Sequence, residues 1–147
     1  LRELSLENQR LSSLNEAEFK ARSKPIQALV VDRVGYLVGL YSLGKIAFVG
    51  SGRGGVHNIL EPIQAGLAVL FGPRYHNAPE ALSLLELGAV KSVSTPNQAS
   101  DELRQLLSHP SLAAERAQIG QKFLENQRGA ATYCADFIRK GLEGTHV

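Results

Sequence analysis

Apolar residues along the chain fall into short blocks: Ala28–Val31 (ALVV), Ile46–Val49 (IAFV), Ala68–Phe71 (AVLF) and Ala89–Val93 (AVKSV). Blocks of four to five with little alternation read as strands covered on both faces, since a half-exposed strand would turn every second residue to water. The expected strands are 28–32, 46–50, 68–71 and 90–93. Helical spacing fills the intervals. Tyr36–Leu43 places Leu37, Leu40 and Tyr41 on one face, and Ile59–Ala65, Ala78–Leu87, Asn97–Ser108, Pro110–Asn126 and Ala130–Lys140 follow. Gly66 and Gly88 stand where two of these helices should stop. At the start, Arg2–Gln9 is polar and helix-like, Arg10–Leu14 is a strand candidate, and Asn15–Lys24 is a charged connection. Alternating strands and helices with right-handed crossovers imply an α/β fold, a Rossmann-like open parallel sheet with helices on both faces.

Ligands of such sheets sit beyond the carboxyl ends of the strands. Here those ends are Asp32, Gly50–Gly55 and Gly72–Asn77, and the unusual residues gather there. In Gly50-Ser51-Gly52-Arg53-Gly54-Gly55-Val56-His57-Asn58-Ile59-Leu60-Glu61-Pro62, four glycines follow a strand and precede a helix. A loop of this kind lets backbone approach a ligand closely and can turn N–H groups toward it. An anionic phosphate suits it, and Arg53 could add a bidentate charge. A plain flexible turn capped by Asn58 is the alternative. Glu61 is either the partner of Asn58 in a capping box or a carboxylate placed to accept two hydrogen bonds from a ribose diol. Asp32 ends its strand either as a cap for the next helix or beside backbone at Gly35–Leu37 that could bracket a flat base. Arg74, His76 and Asn77 are expected to point into the same crevice, with an N-cap role as the alternative for Asn77.

The sequence has 147 residues, the span of one domain or of two only if both are small, with 44% hydrophobic and 20% charged residues. A formal charge of +2 and 6% aromatics without Trp argue against a nucleic-acid binder. One Cys excludes an intrachain disulfide. No metal site is expected: the histidines at 57, 76, 109 and 146 show no i, i+4 pair, and Cys134 reads as a packed helical residue. No G-x-S-x-G elbow is present. The glycine loop is neither a Walker loop nor the G-x-G-x-x-G fingerprint. No apolar run approaches the roughly 20 residues of a membrane span. The chain contains no Met and opens on Leu1, which reads as a fragment, a processed chain or a chain whose start is missing from the sequence.

Taken together, Asp32-x-x-Gly35, Leu40-Tyr41, Ile46-Ala47-Phe48-Val49-Gly50, Gly54-Gly55-x-His57-Asn58-x-Leu60-Glu61-Pro62, Phe71-Gly72-Pro73 with Asn77, and Asn126-x-x-Gly129-Ala130 resemble the C-terminal half of the Kdo transferases. These bacterial glycosyltransferases move 3-deoxy-D-manno-octulosonic acid (Kdo) from CMP-Kdo to lipid A precursor. The resemblance runs from about Gln27 to about Lys140. Two departures stand out: Tyr36 lies where the family usually has Glu, and Val56 separates the glycine pair from His57.

The resemblance implies that residues 1–147 are the CMP-Kdo binding domain of a GT-B fold lacking its N-terminal acceptor domain. Donor-binding residues would be Gly35, Tyr36, Leu37, Arg53, Gly54, Gly55, His57, Asn58 and Glu61. The general base would belong to the missing domain, so no catalytic residue is assigned and the piece alone should be inactive. The implied partners are CMP-Kdo, lipid A precursor and, for the whole protein, the cytoplasmic face of the bacterial inner membrane; no cofactor is called for. Two other readings stay open: a GT-B enzyme using a UDP-sugar, and a non-enzymatic flavodoxin-like module binding a phosphate or a partner.

Overall fold

The structure is a computed structural model and describes residues 8–13, 27–127 and 129–143. Its elements are β1 (Asn8–Arg10), a 3-10 turn (Leu11–Ser13), β2 (Ala28–Val30), α1 (Leu37–Tyr41), β3 (Ile46–Val49), α2 (Leu60–Gln64), β4 (Ala68–Phe71), α3 (Pro79–Glu86), β5 (Val90–Ser92), α4 (Pro96–Ser108), α5 (Pro110–Asn126) and α6 (Ala130–Glu143). The chain forms two compact units, residues 1–40 and 41–147.

In the second unit, β3, β4 and β5 form a parallel sheet in that order, with Ile46 opposite Ala68 and Val69 opposite Val90. β4 is central, and each of its four residues is at most 1% exposed. Alternation sends Val69 and Phe71 into a cluster with Ile63 of α2 and Ala81 and Leu84 of α3. Ala68 and Leu70 turn the other way, onto Leu106 of α4 and Ala113 of α5. Helices therefore cover both faces of β4, as the unbroken apolar run requires.

The expected helix stops are present. Gly66 (φ 84°) and Gly88 (φ 71°) adopt the left-handed conformation open to glycine. At the first, Gly66 N–H donates to Ile63 O and Leu67 N–H to Pro62 O; at the second, Gly88 and Ala89 repeat the pattern onto Leu85 and Leu84. Both pairs satisfy carbonyls that the helix end leaves open. α4 begins with Thr95 accepting from Gln98 N–H while Gln98 accepts from Ser94 N–H.

Among the described residues, Glu102 of α4 is the one buried charged residue, and it bonds Lys91 of β5 and Arg116 of α5, the latter at 3.2 Å. Burial pushes its carboxyl up, but the hydrogen bonds from Lys91 and Arg116 outweigh that and hold it below the usual carboxylate range.

The first unit differs from expectation at three places. The strand there is Asn8–Arg10, and the chain turns into a 3-10 helix where the strand 10–14 was expected. Of the helix expected over Arg2–Gln9, residues 1–7 lie outside the described residues, as does the connection at 15–24, while Asn8 and Gln9 are strand. Asp32 lies past the end of β2 and caps no helix. It accepts from Ser12 N–H at 2.9 Å and from the Ser12 hydroxyl, which ties the 3-10 turn to the strand end. β1 and β2 pair in parallel, Asn8 with Ala28 and Arg10 with Val30.

Candidate functional site

The carboxyl ends of β3 and β4 carry two loops laced to one another. The first runs from Gly50 to Ile59; the second from Gly72 to Ala78. Near their roots, Gly72 presses on Ser51, leaving no room for a Cβ at residue 72. Further out, Val56 N–H donates to Arg74 O at 2.8 Å. At the tip, the Asn77 amide nitrogen donates to Gly54 O and to Val56 O, both at 3.2 Å. Gly55 (φ 91°) lies between those two carbonyls, and a Cβ there would run into the Asn77 amide. Glycine at 55 is thus required twice, by its dihedral and by contact.

The predicted donor residues of this loop separate by exposure. Arg53, Gly54, His57 and Asn58 are exposed, whereas Gly55 and Val56 are buried. Val56 and Ile59 anchor the loop in the core, at 2% and 0% exposure. The N–H of Val56 is taken by Arg74, so it leaves the set of amides available to a ligand. α2 spans five residues, shorter than the expected 59–65, and so few aligned peptides add little positive potential at its start.

Asn58 sits at φ 54°, a conformation that asparagine tolerates better than most residues. Its Oδ1 accepts from Glu61 N–H at 3.3 Å, which is one leg of a capping box. Glu61 does not return the second leg; its half-buried carboxylate lies close enough to Tyr41 to act on it electrostatically. The Tyr41 phenol is pushed above its ordinary value by burial first and by the Glu61 charge second.

Arg74 and His76 are exposed, and His76 stacks on Tyr75 with ring centroids 5.3 Å apart. Tyr75 in turn meets Phe71 edge-on. The Asn77 amide is turned back onto the glycine loop rather than into a crevice. It does not cap α3 either, whose N-cap is Ala78 without a side-chain bond. Sequence reasoning placed Tyr41 on a helix face without linking it to Glu61, and misplaced Asn77. The signal for Asn77 was the pairing of a glycine doublet with a lone amide one loop later, which does not by itself say which way the amide points.

Gly35, Tyr36 and Leu37 belong to the first unit. Gly35 has φ 95° with open space around it, Tyr36 and Leu37 are about half exposed, and Tyr36 O accepts from Leu40 N–H. Among the described residues no group of His, Cys, Asp and Glu could hold a metal ion, and no helix is long and apolar enough to cross a membrane.

No family model matches the chain. Curated relatives do. A 3-deoxy-D-manno-octulosonic acid transferase of Chlamydophila psittaci is 37% identical over 107 residues, 70% of this chain and 24% of that protein. One from Aquifex aeolicus is 40% identical over 83 residues, covering 54% and 24%. One from Haemophilus influenzae is 31% identical over 121 residues, covering 80% and 28%. By sequence this chain belongs with the Kdo transferases. It spans about a quarter of the length of these relatives. Among solved structures it resembles the C-terminal CMP-Kdo binding domain of WaaA from Acinetobacter baumannii, with TM-score 0.66 and 24% identity over 81% of this chain and 61% of that one. That likeness places the fold beside a Kdo transferase domain, in agreement with the α/β class and parallel strands expected from the sequence.

Proposed function

We propose that this chain is the donor-binding part of an inverting Kdo transferase, the C-terminal half of a GT-B enzyme that moves Kdo from CMP-Kdo to lipid A precursor. The observation that carries the reading is the glycine loop. It is fixed in shape by the loop beside it and is followed six residues after Gly55 by a carboxylate. Gly54, Gly55, His57 and Asn58 would receive the CMP phosphate, with Arg53 adding charge. Glu61 would accept from the ribose diol. Gly35, Tyr36 and Leu37 are proposed as base contacts, on the evidence of their own unit: open backbone at Gly35 and an exposed ring and side chain after it.

In the reaction the acceptor hydroxyl oxygen attacks the anomeric carbon of Kdo as the bond to the CMP phosphate oxygen breaks. The electron pair leaves with CMP, and the hydroxyl proton goes to a carboxylate of the acceptor-binding domain, which is not part of this chain. This chain's share is to stabilise charge growing on the departing phosphate through fixed N–H groups, which need no reorganisation as the charge appears. Membrane association and acceptor choice belong to the whole protein, and this chain alone should transfer no sugar.

Titration calorimetry with CMP tests the reading, with UMP as control. The chain should bind CMP in preference to UMP, and Glu61→Ala should weaken CMP binding about 10- to 150-fold, the cost of losing a charged acceptor of roughly 1.5–3 kcal/mol. Unchanged affinity with a lowered melting temperature would make Glu61 a helix-start residue only. Equal binding of UMP would move base selection out of this chain.

A further inference from the structure

We infer that Asn77 is a positioning residue that aims the Gly55 and His57 backbone N–H groups at the donor phosphate; this rests on the proposed function. A trans peptide is planar, and its N–H points opposite to its C=O. Asn77 draws in the carbonyls of Gly54 and Val56. The N–H groups that share those two peptides belong to Gly55 and His57, and they must point away from Asn77. The amide between them, on Val56, is held by Arg74 O. Asn77 and its own loop therefore sort three successive amides: the middle one is tied to Arg74 O, and the outer two point away from Asn77, the side on which the proposed function sets the phosphate. The contact of Asn77 with Gly55 makes the arrangement stiff, since neither can shift without moving the other.

The same geometry accounts for Val56, the residue that departs from the family pattern. It adds one peptide between the glycine pair and His57. Its buried side chain and its bond to Arg74 take up that extra peptide without exposing it.

The test uses the 147-residue chain with CMP as probe. Asn77→Ala removes both donated bonds; Asn77→Asp keeps the side-chain size, cannot donate, and carries the test if the alanine variant does not fold. Affinity is measured well below the melting temperature, where circular dichroism shows each variant folded. Loss of the bonds that select the binding shape should weaken CMP about tenfold. In parent protein the backbone amide resonances of Gly55 and His57 should shift most on CMP addition, and that response should shrink in both variants. A role confined to stability would lower the melting temperature and leave both readouts alone. Parent-like affinity and amide shifts in folded variants would overturn this inference and leave the proposed function standing. Failure of the parent chain to bind CMP would overturn the proposed function and this inference with it.

Discussion

β2 and β4 are both short aliphatic strands, Ala-Leu-Val and Ala-Val-Leu-Phe, and they end up in opposite environments. Every residue of β4 is at most 1% exposed, whereas Leu29 and Val30 of β2 are 39% and 44% exposed. β4 has strand neighbours on both edges and helices on both faces. Among the described residues of its own unit, β2 pairs with β1. An apolar run is enough to make a strand, but burial is conferred by what packs on it. The second unit is held by a core. The first unit has ladder bonds and the contacts of Asp32, and none of residues 10–13 and 27–40 is buried.

Truncation of matched leucines should show this contrast most strongly. Leu70→Ala empties space between β4 and helices α4 and α5 and should cost about 3–5 kcal/mol, within the range for a buried leucine. Leu29→Ala removes a side chain already in partial contact with water and should cost under about 1 kcal/mol. Urea melts of both variants check the difference. Similar costs for the two would mean that the first unit has a core of its own.

The strand blocks and helix stops were legible because they follow from local rules. Apolar runs marked β3 and β4 to within a residue, and Gly66 and Gly88 marked helix ends by the conformation they permit. The glycine loop was legible as a loop. What its residues do was less so. Asn77, Asp32 and Asn58 share a chemistry in which a short side chain can cap a helix, tie a turn or face a ligand, and the choice is made by groups distant in sequence. Asp32 is taken by Ser12, twenty residues upstream, and Asn77 by Gly54 and Val56. Tyr41 meets the field of Glu61 for the same reason. The short β1 was missed because three polar residues, Asn8–Arg10, carry no hydrophobic signal.

The Lys91–Glu102–Arg116 cluster sharpens the comparison from the polar side. Glu102→Gln leaves Arg116, only 14% exposed, without its counter-charge, and should destabilise by about 3 kcal/mol at neutral pH, the lower end for a broken buried pair because Lys91 is half exposed. The folded-state pKa of Glu102 lies below its unfolded value. Its contribution is therefore full above the unfolded value and is lost as pH falls through the folded one. The stability gap between parent and Glu102→Gln should accordingly close on acidification. Urea melts from neutral pH down through the carboxylate range measure it; a gap that stays constant would mean that the charge on Glu102 does not support the core.

The smallest effect belongs to the first unit. The Ser12 hydroxyl and then the Ser12 N–H hold the Asp32 carboxyl below its ordinary value, and the charge of Arg10 adds to them. Ser12→Ala removes the hydroxyl and keeps the N–H, so the Asp32 pKa should rise part of the way toward the ordinary carboxylate value. The sign of the linkage matches that of Glu102: the contribution of Asp32 is present above its unfolded value and disappears as pH falls through the folded one. The Asp32 site is open to water, so the change should appear in the titration of one side chain and barely in a global melt. Following the Asp32 side-chain carboxyl carbon by NMR against pH, in parent and variant, reads the effect directly. An Asp32 titration that does not move on losing the Ser12 hydroxyl would show that the tie between the 3-10 turn and the end of β2 rests on the backbone bond alone.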